Sequence, residues 1–419
     1  MQRRNFLHAC TAATAALALP CRAFAASARP HVVVVGGGFG GATAAKYLRM
    51  WSEGGVDVTL IEREQAFVSC PISNLVIAGL QRMEQITFGY DLLQSQWGVR
   101  LMSDEATAID PDRRVVRTAR NGEIAYDHLV VAPGVEILSA GIDGLAGHED
   151  RIPHAWKAGA QTATLRRQLE AMPDGGVFAM SIPRMPYRCP PGPYERACMV
   201  AHYLRTHKPR SKVLVLDANA DIVAKKALFQ QAFARYGDMI EYRPNSTLLA
   251  VDAATLEAEF EFERVRADVL NVIPPMRAGR IATLGSLPLI NDAWVDVDWL
   301  TLGAKGLPGV HVIGDAIFPA PGMPKSGHMA NQHAKVVAAA ILNALAGLPP
   351  NPTPVVMNTC YSFVDDRAAM HVVSVHQYDA DKGQLLAVEG AGGLSAAPSD
   401  AEGRAALQWA HHIWADTLG

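Results

Sequence analysis

Six cysteines are spread through this chain of 419 residues, and two of them, Cys10 and Cys21, fall in an N-terminal stretch that reads as an export signal. Four are then left to do chemistry: Cys70, Cys189, Cys198 and Cys360. Four cysteines in a chain this long do not make a disulfide scaffold, so each needs its own account. Cys70 stands before a proline, after the second strand of a nucleotide-binding pattern, and Cys189 lies in a proline-rich loop. Cys198 follows on a helix among Ala197, Val200 and Ala201, where packing is the expected role. Cys189 and Cys360 are far apart in sequence, so only folding could bring them together, and the sequence does not fix which thiols pair. No metal site is expected, and with no C-x-x-C-H any haem belongs to another chain.

A second chemistry is written in glycine. Val32-Val33-Val34-Val35-Gly36-Gly37-Gly38-Phe39-Gly40-Gly41 is a buried strand entering G-x-G-x-x-G and then a helix. Gly36, Gly38 and Gly41 allow a tight turn and close backbone approach, so that a pyrophosphate can sit on the helix N-terminus. Glu62 ends the next strand, where its carboxylate can accept adenosine ribose hydroxyls. Two later segments choose the dinucleotide. Tyr126 to Gly134 is a strand ending in a glycine turn, and Gly309-Val310-His311-Val312-Ile313-Gly314-Asp315-Ala316 matches a late motif of flavoproteins. There the aspartate bonds the ribityl chain and Gly134 and Gly314 make turns. Asp315 alone could be an ordinary helix cap. The three motifs in this order point to FAD rather than NAD.

A second strand, loop and helix begins at Val177, but its loop is Ile182-Pro183-Arg184-Met185-Pro186-Tyr187-Arg188-Cys189-Pro190-Pro191-Gly192-Pro193. Prolines remove the backbone donors that a phosphate cradle needs. Electrons are therefore not expected to come from NADH or NADPH.

With Phe67-Val68-Ser69-Cys70-Pro71-Ile72-Ser73-Asn74, the loop Arg188 to Arg196, Lys325-Ser326-Gly327-His328 and Asn358-Thr359-Cys360-Tyr361, the chain resembles the flavoprotein subunit of flavocytochrome c sulfide dehydrogenase. The resemblance runs over essentially the whole chain after the signal. It implies FAD held covalently by a thioether at Cys70, a redox disulfide between Cys189 and Cys360, and a c-type cytochrome subunit as partner in a heterodimer. The implied substrate is a small sulfur compound, attacked or attacking at that disulfide. Read from the residues alone, Cys70 could be a buried free thiol, and Cys189 and Cys360 a structural disulfide or partners of Cys198. Glu195 could accept a proton from incoming sulfide or simply be a helix N-terminal acid. Lys325 could stabilise charge on reduced flavin or be solvated.

The elements that must position these residues alternate strand and helix, which gives an α/β fold. Two Rossmann-like domains of glutathione reductase type are expected, with a C-terminal α+β segment. The expected boundaries are a twin-arginine signal at 1–28, FAD-binding residues at 29–150 and 280–347, a second Rossmann-like domain at 151–279 with a degenerate nucleotide loop, and an interface domain at 348–419. Arg3 and Arg4, the Ala-rich stretch after them and small-residue sites at Ala25 and Ala28 make the signal, which implies a periplasmic protein. With 49% hydrophobic and 19% charged residues the chain can build large cores, and a formal charge of −3 favours neither nucleic acid nor an anionic membrane. No later apolar run is long enough to span a bilayer. Two rival functions share the fold: a sulfide:quinone reductase, which would need an amphipathic C-terminal region, and a non-catalytic FAD electron-transfer module.

Overall fold

The computed structural model describes residues 29–419, so the twin-arginine pattern, Cys10 and Cys21 lie outside the described residues. The valine run His31–Val35 forms the middle strand of a five-stranded parallel sheet. Its neighbours, in order, are Val310–Val312, His128–Val131, His31–Val35 itself, Asp57–Glu62 and Arg100–Ser103. A parallel sheet covered on both faces reads as an unbroken apolar run, and Val32, Val33 and Val34 are wholly buried. The helix Phe39–Trp51 lies against the long helix Gly327–Leu345, which starts well before the apolar run around Ala334. Small residues such as Ala42, Ala45, Ala334 and Ala338 are fully buried, which lets the two backbones approach closely.

A second parallel sheet runs Ile240–Arg243, Lys212–Asp217, Val177–Ile182, Val269–Val272. The helix Gly192–His207 crosses from its loop back to Lys212. A short antiparallel pair, Val135–Ile137 with Met276–Ala278, joins the two Rossmann units. The C-terminal segment is an antiparallel sheet of Val355–Phe363, Ala369–Asp379 and Gln384–Ala387, with Gly393–Leu394 added to the second strand. Its closing helix, Asp400–Leu418, is capped by Ser399, whose hydroxyl accepts from Glu402 N at 3.2 Å.

That closing helix is fastened to the first unit by side chains. Asp416 accepts from Tyr47 Oη at 2.6 Å and Asn331 Nδ2 at 2.7 Å, and pairs with Lys335 at 2.9 Å. Lys46 Nζ donates to the carbonyls of Ala415 and Asp416. Ile413 and Trp414 are buried, and Trp414 Nε1 donates to Ser69 Oγ at 2.9 Å.

Candidate active site

The first glycine turn is open where a phosphate would need it. Gly36 is left-handed, φ +97°, and a Cβ there would stand 2.4 Å from the Ala132 carbonyl oxygen. At Gly38 a Cβ would meet nothing within 4 Å, and the helix Phe39–Trp51 has no side-chain cap, so no capping side chain takes up its first amides. Gly41 packs against the turn itself, 1.7 Å from the Gly36 carbonyl oxygen for an added Cβ. Glu62 ends its strand beside this turn and accepts from Gly37 N and Glu64 N.

The other end of the crevice is also built for a polar ligand. Asp315 sits on the 3-10 turn Gly314–Ala316 rather than capping a helix; the following helix is capped by Ser326, which accepts from Met329 N at 3.0 Å. Asp315 Oδ1 is buried without a hydrogen-bond partner, and burial raises the pKa of its carboxyl. An orphaned buried carboxylate oxygen at this point matches a ligand hydroxyl. Gly134 takes its expected left-handed turn, φ +64°. The residues present thus fit FAD at both ends: glycines and helix amides for the pyrophosphate, Asp315 for the ribityl chain.

Lys325 is not solvated. Its ammonium donates to the carbonyls of Asp315 at 2.9 Å and Ile317 at 2.5 Å and lies 3.7 Å from the centre of the Trp294 ring. Burial lowers its pKa to about 7, with Asp315 opposing. Lys325, Asp315, Ser326 and His333 line a cavity of about 10 Å³, room for a single water.

The same residue anchors the proline-rich loop. Cys189 N donates to the Lys325 carbonyl at 2.9 Å, and Cys189 is itself left-handed, φ +57°. Cys360 arrives from the C-terminal sheet, opposite Val372. The two thiols share one electrostatic environment: burial, then Cys360 and Glu195, push the Cys189 thiol upward. Burial also raises Cys360, while Lys225, Asn358 and Ser326 pull it back. Asn358 Nδ2 donates to Cys360 Sγ at 3.3 Å. All four cysteines of the described residues are free in this structure, and Cys198 is fully buried on its helix, as packing requires.

Cys70 lies beside the 154–158 segment, with Ala158 N donating to its sulfur at 3.5 Å. Arg188 links Cys70, Cys189 and Asp315, since its charge is felt at all three. It also donates to the Trp156 carbonyl, and Trp156 Nε1 donates to the Arg188 carbonyl at 3.1 Å.

Glu195 ties two domains together. It is an acid in the first helical turn, and its carboxylate accepts from Asn74 Nδ2 at 2.7 Å and Phe363 N at 2.8 Å, tying the helix to the C-terminal sheet. Burial raises its pKa, so it holds a proton more readily than a surface glutamate. Two neighbours escaped sequence reasoning. Arg196 is 1% exposed and spends its guanidinium on Asn74, His154, Ala155 and Asn271, fixing the segment under Trp156. Lys225, 6% exposed, reaches the strand of Cys360. A lone basic residue reads as solvated even among apolar neighbours, and only the pairing of distant segments buries these two.

The acid of the second unit is taken up by that unit's own side chains. Asp217 ends the second strand there, as Glu62 does in the first unit, and it is fully buried. Tyr194 Oη at 2.7 Å and Tyr242 Oη at 3.0 Å donate to one oxygen, and Asn219 N and Nδ2 donate to the other.

Comparison with known proteins agrees with this geometry. Residues 162–274 match the model "Sulfide dehydrogenase [flavocytochrome c] flavoprotein chain, central" and residues 352–418 match "Flavocytochrome c sulphide dehydrogenase, flavin-binding". Residues 30–168 match the pyridine nucleotide-disulphide oxidoreductase model. The chain is 62% identical over 46 residues, 11% of its length, to a sulfide dehydrogenase [flavocytochrome c] flavoprotein chain of Chlorobaculum thiosulfatiphilum, covering 94% of that sequence. It is 28% identical over 309 residues to the mitochondrial sulfide:quinone oxidoreductase of Mus musculus, a match that takes in 68% of this chain and 65% of the mouse protein. The solved sulfide:quinone oxidoreductase of Aquifex aeolicus superposes with a TM-score of 0.77 at 21% identity, covering 93% of this chain and 91% of that one.

Proposed function

Because the chain belongs to the flavoprotein sulfide oxidoreductases, the family of flavocytochrome c sulfide dehydrogenase flavoprotein chains and sulfide:quinone oxidoreductases, we propose that it is a periplasmic sulfide dehydrogenase subunit that hands electrons from sulfide to a c-type cytochrome partner. The observation that carries this reading is the convergence of Cys189 and Cys360, from two different domains, beside Lys325, Asp315 and Glu195. In the working enzyme the two cysteines form a disulfide. Hydrosulfide attacks one sulfur, the S–S bond breaks, and the products are a cysteine persulfide and a thiolate. Glu195, with its raised proton affinity, takes the proton when hydrogen sulfide enters neutral. Gly36, Gly38, Gly41 and Glu62 would hold the adenosine diphosphate of FAD, Gly134, Gly314 and Asp315 its flavin half, and Cys70 a covalent thioether. When bound, FAD supplies a two-electron acceptor that can release electrons one at a time. Lys325 supplies positive charge beside that half, and a second sulfur nucleophile clears the persulfide.

Two observations weigh against the rivals. The apolar side of the terminal helix, including Ala406, Ala410, Ile413 and Trp414, is spent on packing, which leaves no amphipathic face for a membrane quinone. Two thiols brought together from different domains beside the flavin site go beyond what a passive electron-transfer module needs.

The test is anaerobic addition of sulfide to the purified holoprotein, followed by cytochrome c, while the flavin spectrum is recorded. Bleaching by sulfide and recovery on adding cytochrome are expected. Cys189→Ser and Cys360→Ser should each keep FAD and lose the bleaching, and either one bleaching at the wild-type rate would refute the disulfide route. Acid precipitation of the same samples should leave flavin on the wild-type protein and free it from Cys70→Ser.

A further inference from the structure

Lys225 is the buried charge that the site has not yet used. It directly precedes the helix Lys226–Ala234, and its backbone is left-handed, φ +53°, a conformation that is costly for a residue with a side chain. Its ammonium leaves the second Rossmann unit and enters the C-terminal sheet. There it donates to the Cys360 carbonyl at 2.8 Å, Ser362 Oγ at 3.0 Å and the Met370 carbonyl at 3.0 Å. These acceptors occupy all three of its N–H groups. The adjacent Lys226 pairs with Asp221 at 2.6 Å on the surface, whereas Lys225 has no ion-pair partner among the described residues. A buried ammonium with only neutral partners is expensive. A fold has reason to keep one where a negative charge forms for part of the working cycle.

The groups facing this ammonium are Cys360, Glu195, Cys189 and Glu402. The two thiols among them are not equivalent. Cys360 has the ammonium under its own strand, the Asn358 amide at 3.3 Å and the Ser326 hydroxyl, with Glu195 opposing them. Cys189 has Arg188, and against it Cys360, Glu195 and Cys70. Negative charge is therefore better placed on Cys360.

Resting on the sulfide reading above, we propose that Lys225 is a positioning residue that holds Cys360 as the departing thiolate and so directs hydrosulfide to the sulfur of Cys189. As the new S–S bond forms between hydrosulfide and Cys189, the Cys189–Cys360 bond breaks and its electron pair stays on Cys360. The proton of hydrosulfide remains on the persulfide, and one negative charge is carried on each side of the step. A leaving thiolate that is better stabilised departs faster.

The test has two arms. In the first, the dithiothreitol-reduced holoprotein is alkylated with iodoacetamide across the thiol pH range, and labelling of each cysteine is read by peptide mass spectrometry. Lys225→Gln keeps a hydrogen-bonding side chain without the charge, and should raise the apparent pKa of Cys360 by about one unit or more, roughly tenfold less labelling below it. Cys189 should move much less, and Lys225→Arg should restore the wild-type titration. Identical Cys360 titrations in wild type and Lys225→Gln would overturn the proposal. The second arm uses wild type alone, so it does not depend on a variant folding: one anaerobic equivalent of sulfide, then alkylation and mapping. The persulfide should be on Cys189, and finding it on Cys360 overturns the proposal. Persulfide on neither cysteine, with the flavin still oxidised, would instead overturn the sulfide reading and the order of attack with it, while the titration bears on Lys225 independently.

Discussion

The strands His31–Val35 and Val177–Ile182 both lie inside parallel sheets, and each leads through a loop to a helix and then to a neighbouring strand that ends in an acid, Glu62 or Asp217. The surroundings of those acids differ. Glu62 takes up only backbone amides, those of Gly37 and Glu64, and a Cβ at Gly38 in the adjoining turn would touch nothing. Around Asp217 two tyrosine hydroxyls and the Asn219 amides take up the carboxylate, and the loop is stiffened by Pro190, Pro191 and Pro193. A backbone plan that receives a dinucleotide can thus be closed by a few side chains. The closed loop then becomes free for another task, here the delivery of Cys189 to the Lys325 carbonyl.

The comparison can be broken most severely at Gly41. A methyl group there would stand 1.7 Å from the Gly36 carbonyl oxygen, a backbone atom that cannot move without opening the turn. Gly41→Ala should therefore purify with almost no flavin, read as the ratio of flavin to protein absorbance. Wild-type loading would show that this turn is not the cradle.

The second unit should be indifferent to nucleotides. NADH and NADPH should leave the flavin oxidised in the holoprotein that sulfide bleaches. Tyr194→Phe sharpens the point: it takes one donor from the buried Asp217 and should cost about 1–3 kcal/mol in urea unfolding. It should still gain no reduction by nucleotide. Rapid bleaching by NADH in either protein would mean that the second crevice opens.

A smaller effect follows from Lys225. Burial lowers its folded pKa to about 8, while an unfolded lysine keeps its proton to about 10.4. Between those values the unfolded chain binds more protons, so this residue makes stability rise with pH, by at most about 1.4 kcal/mol per unit. Below that window the folded ammonium is fully charged and its burial penalty is complete. Buried thiols with raised pKa values titrate with the opposite sign in the same range, so the measurement is the difference in urea midpoint between Lys225→Gln and wild type. The variant's advantage should shrink as pH rises through the window, and a difference that does not change with pH would rule out this titration.

The parts that could be read in the sequence are those where local chemistry and global fold agree. A run of valines followed by Gly36-Gly37-Gly38 has few other uses, and Asp315 gains its meaning from standing third in the order of motifs, since alone it could have been a helix cap. The proline-rich loop is likewise visible as a departure from a glycine cradle. Long-range burial could not be read. Lys325 and Lys225 look solvated, until a sheet from the far end of the chain covers the second and the Trp294 ring meets the first. Arg196 looks like an exposed residue in a helical first turn, yet its hydrogen bonds run to segments around Asn74, His154 and Asn271. Nor does the sequence show that Glu195 joins two domains through Phe363 N.

The outermost strand of the first sheet, Val310–Val312, pairs with His128–Val131 across the whole intervening second unit. Closing so large a loop is paid before any pairing is gained, which makes such non-local contacts slow to form. During synthesis the first unit must wait with a bare sheet edge at His128–Val131 until the second unit has emerged. Asp315 sits just beyond that late strand, so the flavin half of the crevice cannot exist until then either. The cofactor's capture thereby waits until the second unit and the strand after it have been made, and a nascent chain halted before Val310 would present an exposed strand edge without the Asp315 end of the flavin crevice.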